Sequence, residues 1–106
     1  MFSKKMAIRN KTKQKLAKEI SSLLKKIANP TRLMILCQVI EKEKNVSELL
    51  EIVEVSQSAL SQHLALLKKY KIIKDEKCGK YVFYSIRDQK TKEILGFLSE
   101  VCGKKY

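Results

Sequence analysis

From Leu16 to Leu67 the apolar residues of this sequence recur every three or four positions, and from Ile72 to Ile86 they recur at about every second one. A period near 3.6 belongs to a helix with one buried face and a period of two to a half-buried strand, so the chain is obliged to change structure near Tyr70. With one proline and three glycines there is little from which to build long irregular loops. Leu16, Ile20, Leu23, Leu24 and Ile27 form the stripe of a first helix over Thr12–Ala28. Asn29-Pro30 then ends it and opens a second, because Asn caps well and Pro is tolerated at the first helical position. That second helix is expected to bury Leu33, Leu36, Cys37 and Ile40. After the polar EKEKN, the residues Val46, Leu49, Leu50 and Val53 mark a short third helix, and Glu54-Val55 a tight turn. Ser56 caps a fourth helix with Leu60, Leu64 and Leu67 inward. Ile72–Glu76 and Tyr81–Ile86 read as strands around a turn at Cys78-Gly79-Lys80. A last helix starts near Asp88 and carries Ile94, Leu95, Leu98 and Val101 as far as Cys102. The expected order is α-α-α-α-β-β-α, mainly α with a β-hairpin.

Charge says what such a fold meets. The 106 residues carry 23 basic and 11 acidic groups, a net +12. The excess is uneven: residues 1–30 hold +8, 31–60 hold −2, 61–80 hold +4 and 81–106 hold +2. One domain with a basic face fits this better than a uniform tail, and nucleic acid is the first anionic partner to consider, a membrane surface the second. MFSKKMAIRNKTKQK lacks the apolar core of a secretory signal, and no stretch approaches the ~20 apolar residues that span a bilayer. A cytoplasmic chain is expected, where a permanent structural disulfide is unusual. Cys37, Cys78 and Cys102 form no C-x-x-C pair and His63 is the sole histidine, so a conventional zinc site is poorly supplied and no cofactor is expected. With no carboxylate pair, nucleophile–base set or phosphate loop in view, the chain does not read as an enzyme.

Two short helices joined by a tight turn, the second followed by a hairpin, describe a winged helix-turn-helix. On the fourth helix, the side opposite Leu60, Leu64 and Leu67 carries Ser58, Ser61, Gln62, Ala65 and Lys69, with Gln57 at its start. Small hydroxyls, an amide and an alanine allow close approach to base edges, and a lysine can meet a phosphate. An ordinary solvated face more often mixes Glu and Lys. Lys74, Lys77 and Lys80 of the hairpin suit backbone contact, although hairpins also carry lysine simply to blunt an edge strand. His63 sits at the side of the fourth helix and reads as a packing or phosphate-contacting residue rather than a metal ligand. Lys4, Lys5, Arg9, Lys11, Lys13 and Lys15 mark a basic start that fits a solubilising tail and a DNA-touching arm equally well. Residues 1–11 are read as a basic, mobile N-terminal arm and 12–106 as the folded domain.

The stretches IANPTRLMILCQVI, VSELLEIVEVSQSALSQHLALLKKYKII and GKYVFYSI resemble the ArsR/SmtB family of bacterial repressors over roughly residues 20–102. The resemblance implies a homodimer held by the first and last helices, two recognition helices on a pseudo-palindromic double-stranded operator, and a chemical signal that lowers DNA affinity. Lys71 and Glu54 stand where such proteins usually have glycine, which places non-glycine residues at turns favouring positive φ. The C-x-C motif of arsenic, cadmium or lead sensors is replaced by NVSELL at the start of the third helix. The Asp and His pairs of zinc and nickel sensors are missing from DQKTKEILGFLSEVC. What remains, ILC in the second helix and a cysteine ending the last, resembles the BigR/SqrR/YgaV group, which responds to persulfides and polysulfides by bridging two cysteines. That resemblance implies Cys37 and Cys102 as a redox-sensing pair, with reactive sulfur as inducer. Lys104 and Lys105, close by in the sequence, are read separately as favouring the Cys102 thiolate. Cys78, at the wing tip, is read as exposed and adventitious. Two alternatives stand beside this reading: a metal or arsenite sensor with an unusual cysteine site, and a ligand-independent DNA-binding protein. Free cysteines are also often no more than small buried hydrophobes.

Overall fold

The computed structural model describes residues 4–103, with side chains described over 11–101. Its elements are α1 (Lys4–Ile27), α2 (Pro30–Glu41), β1 (Lys44–Asn45), α3 (Val46–Ile52), α4 (Gln57–Lys69), β2 (Ile73–Cys78), β3 (Tyr81–Ile86) and α5 (Gln89–Gly103). The expected order holds with one addition, the two-residue strand β1. It pairs antiparallel with β3, Lys44 opposite Tyr84 and Asn45 opposite Phe83, so the sheet runs β1-β3-β2. No local pattern announces a strand this short; the pairing that defines it is non-local.

Helix α1 starts well before Thr12 and runs through most of the segment assigned to an arm. The reason is local: KKMAIRNKTKQK lacks Gly and Pro and is rich in good helix formers. Its 24 residues extend about 36 Å at 1.5 Å per residue. Residues 11–22 are exposed all round, and the helix is anchored to the body near its end, where Ile27 is buried and Leu23 half-buried. This overhang gives the molecule its 60 × 35 × 20 Å dimensions.

Asn29 accepts from the Arg32 N–H at 3.1 Å and Pro30 takes the first position of α2. The buried side of α2 is Ile35, Leu36 and Val39 rather than the expected Leu33, Leu36, Cys37 and Ile40. The segment LMILCQVI is apolar on nearly every side, so periodicity cannot choose a face; packing against α5 and β3 does. Cys37 is consequently half-buried at the flank. Asn45 and Glu48 exchange reciprocal bonds of 2.9 and 3.1 Å across the first turn of α3, a capping box.

Between α3 and α4 the Val55 N–H bonds the Val53 carbonyl at 2.9 Å. Glu54 is the centre of a three-residue turn of the kind that needs negative φ, so the expectation of positive φ there is corrected. Among the described residues only Lys71 (φ 61°) and Gly79 (φ 63°) have positive φ. Lys71 was expected there. Its N–H bonds the Lys68 carbonyl and the Ile72 N–H reaches back to Leu67, both at 3.0 Å. That is the Schellman ending of a helix, with the buried pair Leu67 and Ile72 as its apolar contact.

The hairpin pairs Ile73 with Ile86 through to Cys78 with Tyr81, leaving Gly79-Lys80 as a two-residue loop whose first position alone is left-handed. Asp88 closes the first turn of α5, accepting from the Thr91 N–H at 3.0 Å and its hydroxyl at 2.9 Å. The core gathers Ile27, Ile35, Leu36, Leu49, Leu60, Leu64, Leu67, Ile73 and Leu95 between the helices and the base of the hairpin. No helix among the described residues is long and apolar enough to cross a membrane.

Candidate nucleic-acid interface and cysteine groove

The exposed face of α4 follows from how the helix is fixed. Ser56 Oγ accepts from the Ala59 N–H at 3.1 Å and starts it, while the Schellman turn ends it. With Leu60, Leu64 and Leu67 at 0–2% exposure, the other side is set: Gln57, Ser58, Ser61, Gln62, Ala65 and Lys69 are all exposed. These groups supply hydroxyl and amide donors and acceptors along one ridge, with Lys69 at its C-terminal end. Neighbouring Lys68 is engaged differently. Its ammonium bonds the Asp75 carboxylate of β2 at 2.8 Å, which raises the lysine pKa and holds the Asp75 carboxyl below its ordinary range. This pair ties the hairpin to the helix.

His63 is drawn inward. It is half-buried, and its Nδ1 accepts from Arg32 Nε at 3.3 Å. Arg32 also donates through Nη1 to the Lys26 carbonyl at 2.8 Å, so one guanidinium joins the end of α1 and the start of α2 to the flank of α4. The bond from Arg32 Nε gives His63 a packing contact through its Nδ1. Arg32 itself went unnoticed in the sequence, yet a signal existed: an arginine in a helix's first turn opposes the macrodipole and needs a structural reason to be there.

On the hairpin, Lys74, Lys77 and Lys80 are exposed, and the Lys80 ammonium lies over the Tyr81 ring at 5.3 Å. Tyr81 and Phe83 pack tilted, with centroids 6.4 Å apart. The register places Lys77 opposite Val82 and exposed Cys78 opposite Tyr81, at the tip.

Cys37 borders a second feature, a concavity of 360 Å³ between α2 and α5. Pro30, Leu33, Met34, Gln38 and Glu41 form its α2 side, and Ser99 and Gly103 its α5 side. The Cys102 side chain, Lys104 and Lys105 lie outside the described residues, as do the side chains of Lys4, Lys5 and Arg9. Among the described residues no three of His, Cys, Asp and Glu converge to hold a metal ion.

Helix, tight turn and helix, with an uncovered polar ridge on the second helix and a lysine-bearing hairpin beside it, define a winged helix-turn-helix DNA-binding protein. Residues 29–75 match the family described as bacterial regulatory protein, arsR family. The transcriptional activator HlyU of Vibrio cholerae is 42% identical over 76 residues, covering 72% of this chain and 70% of that protein. The biofilm growth-associated repressor of Xylella fastidiosa is 33% identical over 85 residues, covering 80% and 75%. The structure of reduced HlyU from Vibrio cholerae superposes with a TM-score of 0.80 at 35% identity, covering 88% of this chain and 98% of that one. The chain belongs to the arsR family and is a DNA-binding transcriptional regulator.

Proposed function

We propose that the protein is a homodimeric repressor that binds operator DNA in its dithiol form and releases it when reaction with sulfane sulfur joins Cys37 and Cys102 in a disulfide. The observation that carries the sensing reading is the Cys37 groove: its α5 wall is made by Ser99 and Gly103, which bracket position 102 in sequence. Two relatives add support, one named a repressor and one whose structure is described as reduced. Dimerisation is supported by apolar side chains that a single chain leaves uncovered. Leu16, Ile20 and Leu24 lie along α1 at 37–43% exposure, and Phe97 and Val101 along α5 at 67% and 38%. A second copy laid across both helices removes these from water.

Base reading falls to Gln57, Ser58, Ser61 and Gln62, and phosphate contact to Lys69, Lys77 and Lys80, with His63 supporting the helix from its flank. The chemistry consumes one hydropersulfide, RSSH. A thiolate of the pair attacks its outer sulfur, forming Cys–S–SH and releasing RSH. The second thiolate then attacks the inner sulfur, closing the Cys37–Cys102 disulfide and releasing hydrogen sulfide. Two thiols are oxidised and the sulfane sulfur is reduced. The bridge lowers DNA affinity only if it is less strained in the weakly binding arrangement of α2 and α5.

The test uses DNA selected from random sequence by the reduced protein. Glutathione persulfide is expected to remove two hydrogens from the intact mass and weaken binding, whereas arsenite and divalent metals leave both unchanged. Cys37→Ser and Cys102→Ser should bind DNA and ignore persulfide; variants that respond like wild type end the sensing proposal.

A further inference from the structure

Helix α1 has a second face that neither the apolar stripe nor the body of the protein uses. At 100° per residue, Lys11, Lys15, Lys18 and Lys25 fall within an arc of about 80°, centred opposite Leu16, Ile20 and Leu24. Ser22 lies between them and Gln14 and Ser21 along one edge of the arc, and all seven side chains are exposed. Ala17, Lys18, Ser21, Ser22 and Lys25 line a shallow depression along one edge of this face. Among the described residues, none of the four lysines makes an ion pair. The sole carboxylate of α1, Glu19, lies about 80° from the centre of the face and is bonded to Lys90 of α5 at 2.9 Å, which together with the charge of Lys15 four residues away lowers its pKa.

This is not how a merely solvated helix is built. Solvent-facing helices alternate sign at i,i+3 and i,i+4, which stabilises them; Lys11–Lys15 and Lys15–Lys18 are like-charge pairs at those spacings and do the reverse. The face spans about 21 Å from Lys11 to Lys25, the rise of about six base pairs of duplex. Ammonium groups set among hydroxyls and an amide, with no apolar or aromatic side chain, suit phosphate oxygens and offer nothing for reading bases. Because the apolar stripe points the other way, covering it with a second copy leaves the lysines in water.

We infer that this face of α1 is a second, sequence-independent nucleic-acid surface, which engages the phosphate backbone of DNA outside the segment read by α4. It goes beyond the operator reading and rests only on the protein being a DNA-binding regulator, not on the cysteine chemistry. The partner is a duplex backbone, and its signature is counterion release.

The experiment compares wild type with a variant carrying Lys11→Gln, Lys15→Gln, Lys18→Gln and Lys25→Gln, glutamine keeping helix propensity. Binding of each full-length chain to random-sequence duplexes of 20 and 50 base pairs is measured by fluorescence anisotropy from 50 to 300 mM KCl. Each phosphate contact contributes about 0.9 to the slope of log K against log salt, so a slope lower by about two or more on the 50-base-pair duplex supports the assignment. The Lys42→Gln/Lys92→Gln variant controls for net charge, since both residues are exposed and off this face. Equal slope change per charge in the two variants overturns the inference, as does an unchanged slope. A variant that keeps its DNA slope while losing binding to phosphatidylglycerol vesicles overturns it in favour of a membrane. Wild type that binds neither random-sequence duplex also overturns it, since a sequence-independent surface must hold such DNA.

Discussion

Lys71 holds a left-handed backbone at φ 61° that the Schellman turn demands, with an exposed side chain. A non-glycine residue in that region costs about 1–2 kcal/mol, because Cβ crowds the following carbonyl. Glycine removes the crowding but adds freedom to the unfolded chain, which returns about 0.4–1 kcal/mol. Lys71→Gly is therefore expected to stabilise the protein by about 0.5–1 kcal/mol, since the bonds from Lys71 N–H to Lys68 and from Ile72 N–H to Leu67 survive. Lys71→Ala separates backbone from side chain: it deletes the ammonium, keeps Cβ, and should stay within about 0.5 kcal/mol of wild type. Urea unfolding at pH 7 and one fixed protein concentration measures both, the concentration being held because association shifts apparent stability. A rise in midpoint at constant m-value, matched by about 3–6 °C in Tm, is the predicted signature. If Lys71→Gly is no more stable than Lys71→Ala, the strain argument is wrong.

On DNA, Gln62→Ala should flatten discrimination between preferred and scrambled sites, by about 1–3 kcal/mol at the position it reads. Lys77→Gln with Lys80→Gln should instead weaken all sequences alike and lower the salt slope by about 0.9 per lost contact; the reverse pattern in either variant contradicts the assigned roles. Phe97→Asp should give a folded monomer by sedimentation, and a persisting dimer would place the interface elsewhere. Leu36→Ala, at a site with 0% exposure, is expected to cost about 2–5 kcal/mol in urea melts. Asp75→Asn tests the helix–wing tie through pH. The Asp75 pKa is lowered, so its contribution is present above the unfolded carboxylate range and lost as pH falls through the folded value. The Lys68 pKa is raised, so its share is present below the unfolded lysine value and lost as pH climbs through the folded one. The wild-type advantage should thus span roughly pH 5–10 and vanish at both ends; an advantage that persists in acid refutes the pair as its source.

What could be read from the sequence was what is locally enforced. Ser56 and Asn29 announce helix starts because a side-chain oxygen three residues from a free N–H is sufficient to cap it, and the structure shows both bonds. The exposed ridge on α4 was legible for a related reason: Leu60, Leu64 and Leu67 leave only one side over. Where a segment offers several faces, the pattern falls silent. In α2, seven apolar residues nearly encircle the helix, and the partner rather than the sequence turned Cys37 to the flank. Strand β1 and the Arg32–His63 bond share a different cause, since each joins residues about 30 or more apart. Glu54 misled because glycine at a turn was taken to require positive φ, whereas a three-residue turn does not. The two faces of α1 were both written in the sequence, but its helical extent back to Lys4 was not foreseen.

The double fixation of α4 has a consequence for regulation. A recognition helix pinned by Ser56 at one end, by the Lys71 turn at the other, and riveted to the hairpin by Lys68 and Asp75 arrives at DNA already in its reading shape. Little ordering entropy is left to lose on DNA, so the helix behaves as a finished tool. An inducer has small means of bending such a tool. In the homodimer we propose, the inducer acts by changing the distance or angle between two such helices, and the quantity under chemical control becomes the match between that span and one turn of the double helix.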